Sequence, residues 1–184
     1  MNRKERFAQL FDAEKRSFIS EYIIHQCFDG MNFQKIRDWL EQNGYDRHTM
    51  IELRSTEILI VTPKGVMMQV RTADQGKLGV FGGVLNDLEE AREGAVRELK
   101  EETGLAVKMQ DLQYVGYNKH EHTYTNGDKV FFHTYRYLLR LKEVPQMELN
   151  YEANGVEFVT TVVPNIIEHQ QQFVGDALSG EFDD

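Results

Sequence analysis

The stretch TEILIVTPKGVMMQVRT, residues 56–72, sets two apolar runs rich in β-branched residues about Pro63-Lys64-Gly65. Such runs, bounded by turn residues, predict two strands, with proline presetting the bend and Gly65 supplying the permissive backbone that closes it. Two strands alone are marginal in water, so the chain must build further layers around them.

The flanking texture indicates which layers. Phe7, Leu10, Phe11, Phe18 and Tyr22 recur at helical spacing, and Phe33, Ile36, Trp39 and Leu40 do so again before Asn43-Gly44, a helix stop. Residues 1–50 therefore predict a helical pair joined near Gly30-Met31, whose aromatic stripes would serve a core, a lid or a homodimer contact. After the strand pair comes the glycine-rich LGVFGGVL, then a helix predicted from Asp87, which with Glu90 makes a capping-box-like start. LQYVGYNKHEHTY and KVFFHTYRYLLRL read as strands joined near Asn126-Gly127, the strongest hairpin signal in the chain. GVEFVTTVV is a further strand, and Pro164 opens a last helix with Ile167, Gln171, Val174 and Leu178 on one stripe. Two helices followed by strands interrupted by two more helices predict an α/β protein, a sandwich built on a mixed sheet. The expected division is residues 1–50 as an N-terminal helical extension, 51–178 as the main domain and 179–184 as a flexible tail.

With 184 residues, 41% of them apolar, the chain can fill one sizeable core. A formal charge of −9 argues against sequence-independent nucleic-acid binding, which needs a basic face to neutralise phosphates. The one cysteine, Cys27, offers no intramolecular disulfide and fits a reducing compartment. No run approaches the roughly 18 apolar residues of a membrane span, and the charged N-terminus lacks the apolar stretch of a secretory signal. The expected location is the cytoplasm, with no membrane and no nucleic-acid partner.

RELKEETGL, residues 97–105, poses a physical problem. Glu98, Glu101 and Glu102 are surface neighbours on a helix, and each like-charge pair costs roughly 0.2–0.5 kcal/mol. At about 100° per residue, with Glu98 at zero, Glu102 falls near 40° and Glu101 near −60°, so the three share a face. Leu99, Thr103 and Val96 turn toward the core, while Ala91, Gly94 and Ala95 leave room for a loop or ligand on the acidic side. Gly104 and Leu105 need only a Schellman stop, with Leu105 packing back on Leu99. The carboxylates need more, since acids near the negative end of a helix lose a further 0.3–1 kcal/mol or so. A basic partner or ordinary solvation would answer that need. So would a hard divalent cation, Mg2+ first and Mn2+ second, because the donors are all oxygen. Upstream, Gly82 and Gly83 permit a tight backbone path that either presents a carbonyl to the same ion or simply bends.

Read from Gly83, the chain runs G-x5-E-x7-R-E-L-x-E-E-x-G-L through Glu89, Arg97, Glu98, Leu99, Glu101, Glu102, Gly104 and Leu105. This resembles the Nudix box at every fixed position. The resemblance extends over a domain from about Ile51 to Leu178 and implies a Nudix-type α/β/α sandwich with a mixed sheet, the N-terminal helical extension lying outside it. Phe81 departs from the proline that many members carry before the paired glycines.

Nudix enzymes hydrolyse a nucleoside diphosphate linked to another moiety, so the resemblance implies a small-molecule nucleoside diphosphate derivative as substrate and Mg2+, with Mn2+ as a substitute, as cofactor. Glu98 and Glu102 match the main metal-ligand positions, Glu101 a further ligand or base, and Gly83 a carbonyl ligand. Arg97 and Glu89 match supporting positions, Arg97 orienting carboxylates and holding the loop and helix together. The implied chemistry is water attack on a diphosphate phosphorus, with a carboxylate accepting the proton. For that base Glu98, Glu101, Glu152 and Glu157 are all in contention. Arg71, Lys77 and Tyr124 are the expected substrate contacts, with Lys119, Lys129, Arg136, Tyr117, Tyr135, His120 and His122 as weaker ones. Two rivals stand beside hydrolysis: a non-catalytic nucleotide-sensing module, disfavoured by the intact carboxylates, and prenyl diphosphate isomerisation, which in the family goes with a cysteine inside the domain, where Cys27 is not.

Overall fold

The computed structural model describes residues 18–20, 33–42, 44, 46, 50–86, 89–123 and 129–183. In chain order they form β1 (Phe18–Ser20), α1 (Phe33–Gln42), β2 (Met50–Thr62), β3 (Gly65–Arg71), β4 (Leu78–Gly79), α2 (Ala91–Thr103), a 3-10 turn (Met109–Asp111), β5 (Leu112–Thr123), β6 (Lys129–Arg140), β7 (Ala153–Val159) and α3 (Glu168–Ser179). The chain divides into two compact units: Met1–Arg54, Leu85–Glu89 and Asn118–His133 form one, and Ser55–Val84, Glu90–Tyr117 and Thr134–Asp184 the other.

The second unit is a sheet covered on both faces. Its strands run in the order β4-β3-β2-β6-β5, with β7 added antiparallel to β3. β2 and β3 close about Pro63-Lys64, pairing Thr62 with Gly65 and Ile60 with Met67. Gly65 holds φ at +118°, and a Cβ there would strike the Val159 carbonyl, so only glycine closes this turn. A parallel bridge from Leu78 to Ile166 makes the sheet mixed. Successive residues of a strand face opposite sides, and the core divides accordingly. Ile58, Ile60, Met67, Phe81 and Leu139 pack against Ala95 and Leu99 of α2. Leu59, Val66, Met68, Leu138 and Val159 pack against Phe173 and Val174 of α3. The result is the expected α/β sandwich, helix on sheet on helix. Among the described residues, no helix is long and apolar enough to cross a membrane.

Two polar residues inside this unit satisfy each other. Ser55 Oγ and Thr134 Oγ1 lie 2.8 Å apart, buried, on neighbouring strands. Thr134→Val leaves the Ser55 hydroxyl without a partner and is expected to lower unfolding stability by about 1–3 kcal/mol. Urea denaturation of the two proteins measures the difference.

In the first unit, α1 confirms the second helical run, with Leu40 fully buried. Phe18–Ser20 does not continue the first run. It is a short strand, parallel to β2, pairing Phe18 with Met50 and Ser20 with Glu52. Ile19 is β-branched and follows an aromatic residue, and sheet pairing outweighs the helical periodicity of the phenylalanines. The rest of that first run, Gly30-Met31, Cys27 and Asn126-Gly127 lie outside the described residues.

Three boundaries shift. α2 starts at Ala91, with Glu90 at its N-cap in an extended conformation and without a side-chain cap. The turn ahead of it is closed differently, by the Asn86 N–H on the Glu89 carboxylate at 2.8 Å; Asp87 lies outside the described residues. β7 ends at Val159, and α3 begins at Glu168, four residues after Pro164. Of the expected α3 stripe, Val174 is buried and Leu178 packs against the same cluster, whereas Gln170 and Phe173, not Ile167 and Gln171, complete the buried face. Beyond Ser179, Phe182 packs edge-on against Phe173 and its carbonyl accepts from Gln113 and Arg140.

Candidate active site

α2 carries the acidic cluster, and its end is built as the glycine predicts. Gly104 sits in the left-handed region at φ 73° and returns its N–H to the Lys100 carbonyl, while Leu105 joins Leu99 in the core. Ala95, Leu99 and Thr103 anchor the helix with no exposed surface. That anchoring sets the phase of the acids. Burial is deepest toward Leu99 and fades around the helix. Glu102 is 2% exposed, whereas the side chain of Glu98 keeps 13% of its surface and that of Glu101 keeps 55%. Gly94 and Ala95, expected on an open acidic side, are buried against the sheet.

The glycine turn meets these carboxylates. The Gly82 N–H donates to Glu102 Oε2 at 2.8 Å, and Gln69 Nε2 stands 3.5 Å from Glu102 Oε1. A Cβ on Gly83 would lie 2.7 Å from Glu98 Oε1, so the missing side chain is the space the Glu98 carboxylate occupies. The Gly83 carbonyl accepts the Thr56 N–H at 2.9 Å and keeps a second lone pair. Arg97 ties helix to turn: Nη1 donates to Glu98 at 2.7 Å and Glu101 at 3.0 Å, and Nη2 to the Val84 carbonyl at 3.2 Å.

Glu152 is brought to the same place by backbone. Glu102 and Thr103 offer their carbonyls to the N–H groups of Asn150 and Glu148, and the Glu152 carbonyl accepts from Thr72. Its negative charge is felt at both Glu98 and Glu102. Glu157 is not in this group. Val156 and Phe158 pack on the α2 side of the sheet, which turns Glu157 to the other face.

These acids are electrostatically frustrated. Burial pushes the Glu102 carboxyl from its usual 4.5 to about 8, helped by the charges of Glu98 and Glu152 and opposed by the Gly82 N–H. Burial raises Glu98 too, against the pull of Arg97. One guanidinium shared between Glu98 and Glu101 leaves Glu102 and Glu152 without a cationic partner among the contacts described. The donor set suits a hard divalent cation: carboxylate oxygens at different depths, a carbonyl with a spare lone pair, and the buried, partnerless oxygens Gln69 Oε1 and Thr56 Oγ1 close by in sequence and hydrogen bonding. Among the described residues, no three acidic, histidine or cysteine side chains already stand as a closed ligand cage.

A family model, the NUDIX domain, matches residues 52–168. The chain belongs to the Nudix family. Its box is intact. No curated protein matches the sequence. Among solved structures, a MutT protein from Methanosarcina mazei Go1 is 20% identical, with 72% of this chain and 96% of that one covered and a TM-score of 0.53. A MutT/nudix family protein from Enterococcus faecalis is 17% identical over 69% of this chain, at a TM-score of 0.50. A bifunctional NMN adenylyltransferase/ADP ribose pyrophosphatase from Francisella tularensis, complexed with AMP and a Mn ion, is 17% identical over 71% of this chain, at a TM-score of 0.52. This chain spans 50% of the E. faecalis chain and 42% of the F. tularensis one. At such identities the likeness establishes a shared fold.

Around the Nudix box the other expected residues scatter. Arg71 is ion-paired with Asp74 at the end of β3, and its N–H binds the Lys77 carbonyl, so Arg71 and Lys77 flank one turn. Tyr124 lies outside the described residues. Tyr117 and Tyr135 form an edge-to-face pair 5.6 Å apart, and Arg136 binds Glu57 at 2.9 Å on the α3 face. In the first unit, Lys129 pairs with Glu121, Lys119 sits over Phe131, His120 stacks on Phe132, and the Glu89 carbonyl accepts from Arg54. Missed altogether were Gln69, a lone polar residue in the apolar run GVMMQV, and Gln170, one of three glutamines in the polar run EHQQQ, where nothing local marks the buried one.

Proposed function

We propose that the chain hydrolyses the diphosphate linkage of a small nucleoside diphosphate derivative, a nucleotide sugar, an ADP-ribose-like compound or a nucleoside triphosphate, with Mg2+ as the preferred cofactor and Mn2+ as a substitute. The observation that carries this reading is the pair Glu98 and Glu102, held against the Gly82-Gly83 turn, with the Glu102 carboxyl buried and without a cationic partner among the described residues. In this reading Glu98, Glu101, Glu102 and the Gly83 carbonyl hold the metal. When bound, it supplies charge neutralisation at the diphosphate and lowers the pKa of a water. Arg97 keeps Glu98 and Glu101 oriented and the turn closed on the helix. Glu101, the most exposed of the three and paired with Arg97, and Glu152 are the candidates to accept the proton of the attacking water. Arg71 and Lys77, side by side at the β3–β4 turn, and Tyr124 are proposed to contact the substrate. The hydrolase domain is assigned to residues 51–178, with residues 1–50 as an N-terminal extension and 179–184 as the tail, and the protein is placed in the cytoplasm.

The F. tularensis relative's name supports ADP-ribose as a first substrate to try. The test is a panel of ADP-ribose, nucleotide sugars, dinucleoside polyphosphates, NADH and oxidised deoxynucleoside triphosphates, scored by products. Hydrolysis is expected at a diphosphate bond, abolished by EDTA and restored by millimolar Mg2+. Tight binding of one compound without turnover in either Mg2+ or Mn2+ would instead establish a nucleotide-sensing module.

A further inference from the structure

Two buried glutamines grip the backbone of one residue, Val80, from opposite faces of the sheet, one holding its carbonyl and the other its N–H. Gln69 is 1% exposed and Gln170 7%. Gln69 Nε2 donates to the Val80 carbonyl at 2.8 Å, and the Val80 N–H donates to Gln170 Oε1 at 2.9 Å. Each amide then reaches an acid. On the α2 face, Gln69 Nε2 stands 3.5 Å from Glu102 Oε1, a long contact that orients charge more than it binds. On the α3 face, Gln170 Nε2 donates to Glu57 Oε1 at 2.9 Å, and Glu57 Oε2 takes Arg136 Nε at 2.9 Å. Arg136 is itself fixed over the Phe173 ring at 4.5 Å and by the His169 carbonyl at 3.1 Å.

From Val80 the chain runs through Phe81, bridged to Ile58, to Gly82, whose N–H holds the other oxygen of Glu102. The Gln69 amide and the Gly82 N–H, which meet the two oxygens of Glu102, are thus both tied to the Val80 backbone. The chemistry at Gln69 argues that this is more than packing. Its Oε1 is buried without a partner, a penalty that a methionine of the same length would avoid. An amide at this position is retained for what its N–H groups do, and those face the Val80 carbonyl and Glu102.

We propose that Gln69 and Gln170 are positioning residues of the carboxylate site, setting the Glu102 carboxylate through the backbone of Val80, which both hold. The inference rests on the reading of that site as a divalent-cation site. Its test uses the full chain and two shape-preserving variants, Gln69→Met and Gln170→Met, with Glu102→Gln alongside. Mn2+ binding is followed by the free-ion electron paramagnetic resonance signal without substrate, and hydrolysis by the Mg2+ concentration giving half-maximal rate. Each glutamine variant is expected to weaken Mn2+ binding by about tenfold, in the range usual for groups that orient metal ligands, with substrate KM at saturating Mg2+ moving less than about twofold. The double variant should fall short of the product of the single effects, because both act on the backbone of one residue.

Gln170→Met is the decisive variant, since it lies on the far face from the acids, and it decides alone if Gln69→Met fails to fold. Wild-type-like Mn2+ binding in a folded Gln170→Met protein, with binding lost in Glu102→Gln, overturns the positioning role and leaves the site intact. Absence of Mn2+ binding in the wild type overturns the site itself.

Discussion

Glu102→Gln is expected to slow diphosphate hydrolysis by at least about a hundredfold while making the metal-free fold more stable at pH 8. The first half follows from removing a charged oxygen donor at the deepest position of the cluster, where a hundredfold corresponds to about 2.7 kcal/mol of barrier. The second half follows from the same burial. The Glu102 carboxyl is pushed up to about 8 in the fold, against 4.5 for an ordinary glutamate. A raised carboxyl favours the folded state while it is protonated. Its contribution is complete below pH 4.5 or so and is lost as pH rises through about 8. Glu98 is raised as well and adds to the loss in the same direction. Glutamine at 102 keeps an oxygen for the Gly82 N–H and carries no charge to desolvate. Melting temperature in EDTA should therefore fall from pH 5 to pH 9 in the wild type and fall less in the variant. Mg2+ should cancel the wild-type decline, since binding replaces the proton, and should do nothing for the variant. Equal pH slopes in the two proteins, or turnover that survives the substitution, would sink the account.

How much of this was legible in the chain depends on how local each signal is. The Nudix box is visible because its carboxylates, arginine and glycines lie within one helix and one turn, where spacing fixes geometry. The helical phase correctly put Glu98, Glu101 and Glu102 on one face, yet it could not say that Glu102 is buried and Glu101 open. That difference is set by Ile58, Ile60 and Phe81 beneath the helix, residues brought there by strand pairing. The start of α2 was misread because Asp87 and Glu90 satisfy a capping pattern, while the turn closes instead through Asn86 and Glu89. Phe18–Ser20 was misread because aromatic periodicity is helical there until a partner strand, Met50–Glu52, is available. Gln69 and Gln170 are 101 positions apart and meet only at Val80, so no window of sequence contains the contact.

The paired glycines give the sharpest separation of fold from chemistry, because adjacent residues are expected to fail in opposite ways. Gly82 holds φ at +133°, a conformation L side chains rarely adopt, and a Cβ there would overlap the Thr56 carbonyl oxygen. Both obstacles are backbone, and Thr56 is held in the sheet by the Gly83 carbonyl, so neither can yield. Gly82→Ala should destabilise by about 3 kcal/mol or more, the strain and the clash each contributing on the order of 1–3 kcal/mol. Gly83 has an ordinary φ. Its Cβ would meet only the Glu98 carboxylate, at 2.7–2.8 Å, and that group ends a side chain that can swing aside. Gly83→Ala should thus unfold within about 1 kcal/mol of the wild type, as substitutions that strain no backbone generally do. Its chemistry should not survive so well. Glu98 must leave the space beside Gly83, which shifts its carboxylate relative to the turn and to Arg97, which holds it at 2.7 Å. A displacement of about 1 Å at a reacting centre removes on the order of a hundredfold in rate. Urea unfolding and Mg2+-dependent turnover of the two alanine variants, measured side by side, test the assignment. A stable Gly82→Ala protein would refute the strained turn, and a fully active Gly83→Ala protein would refute Glu98 as a group whose position governs the reaction.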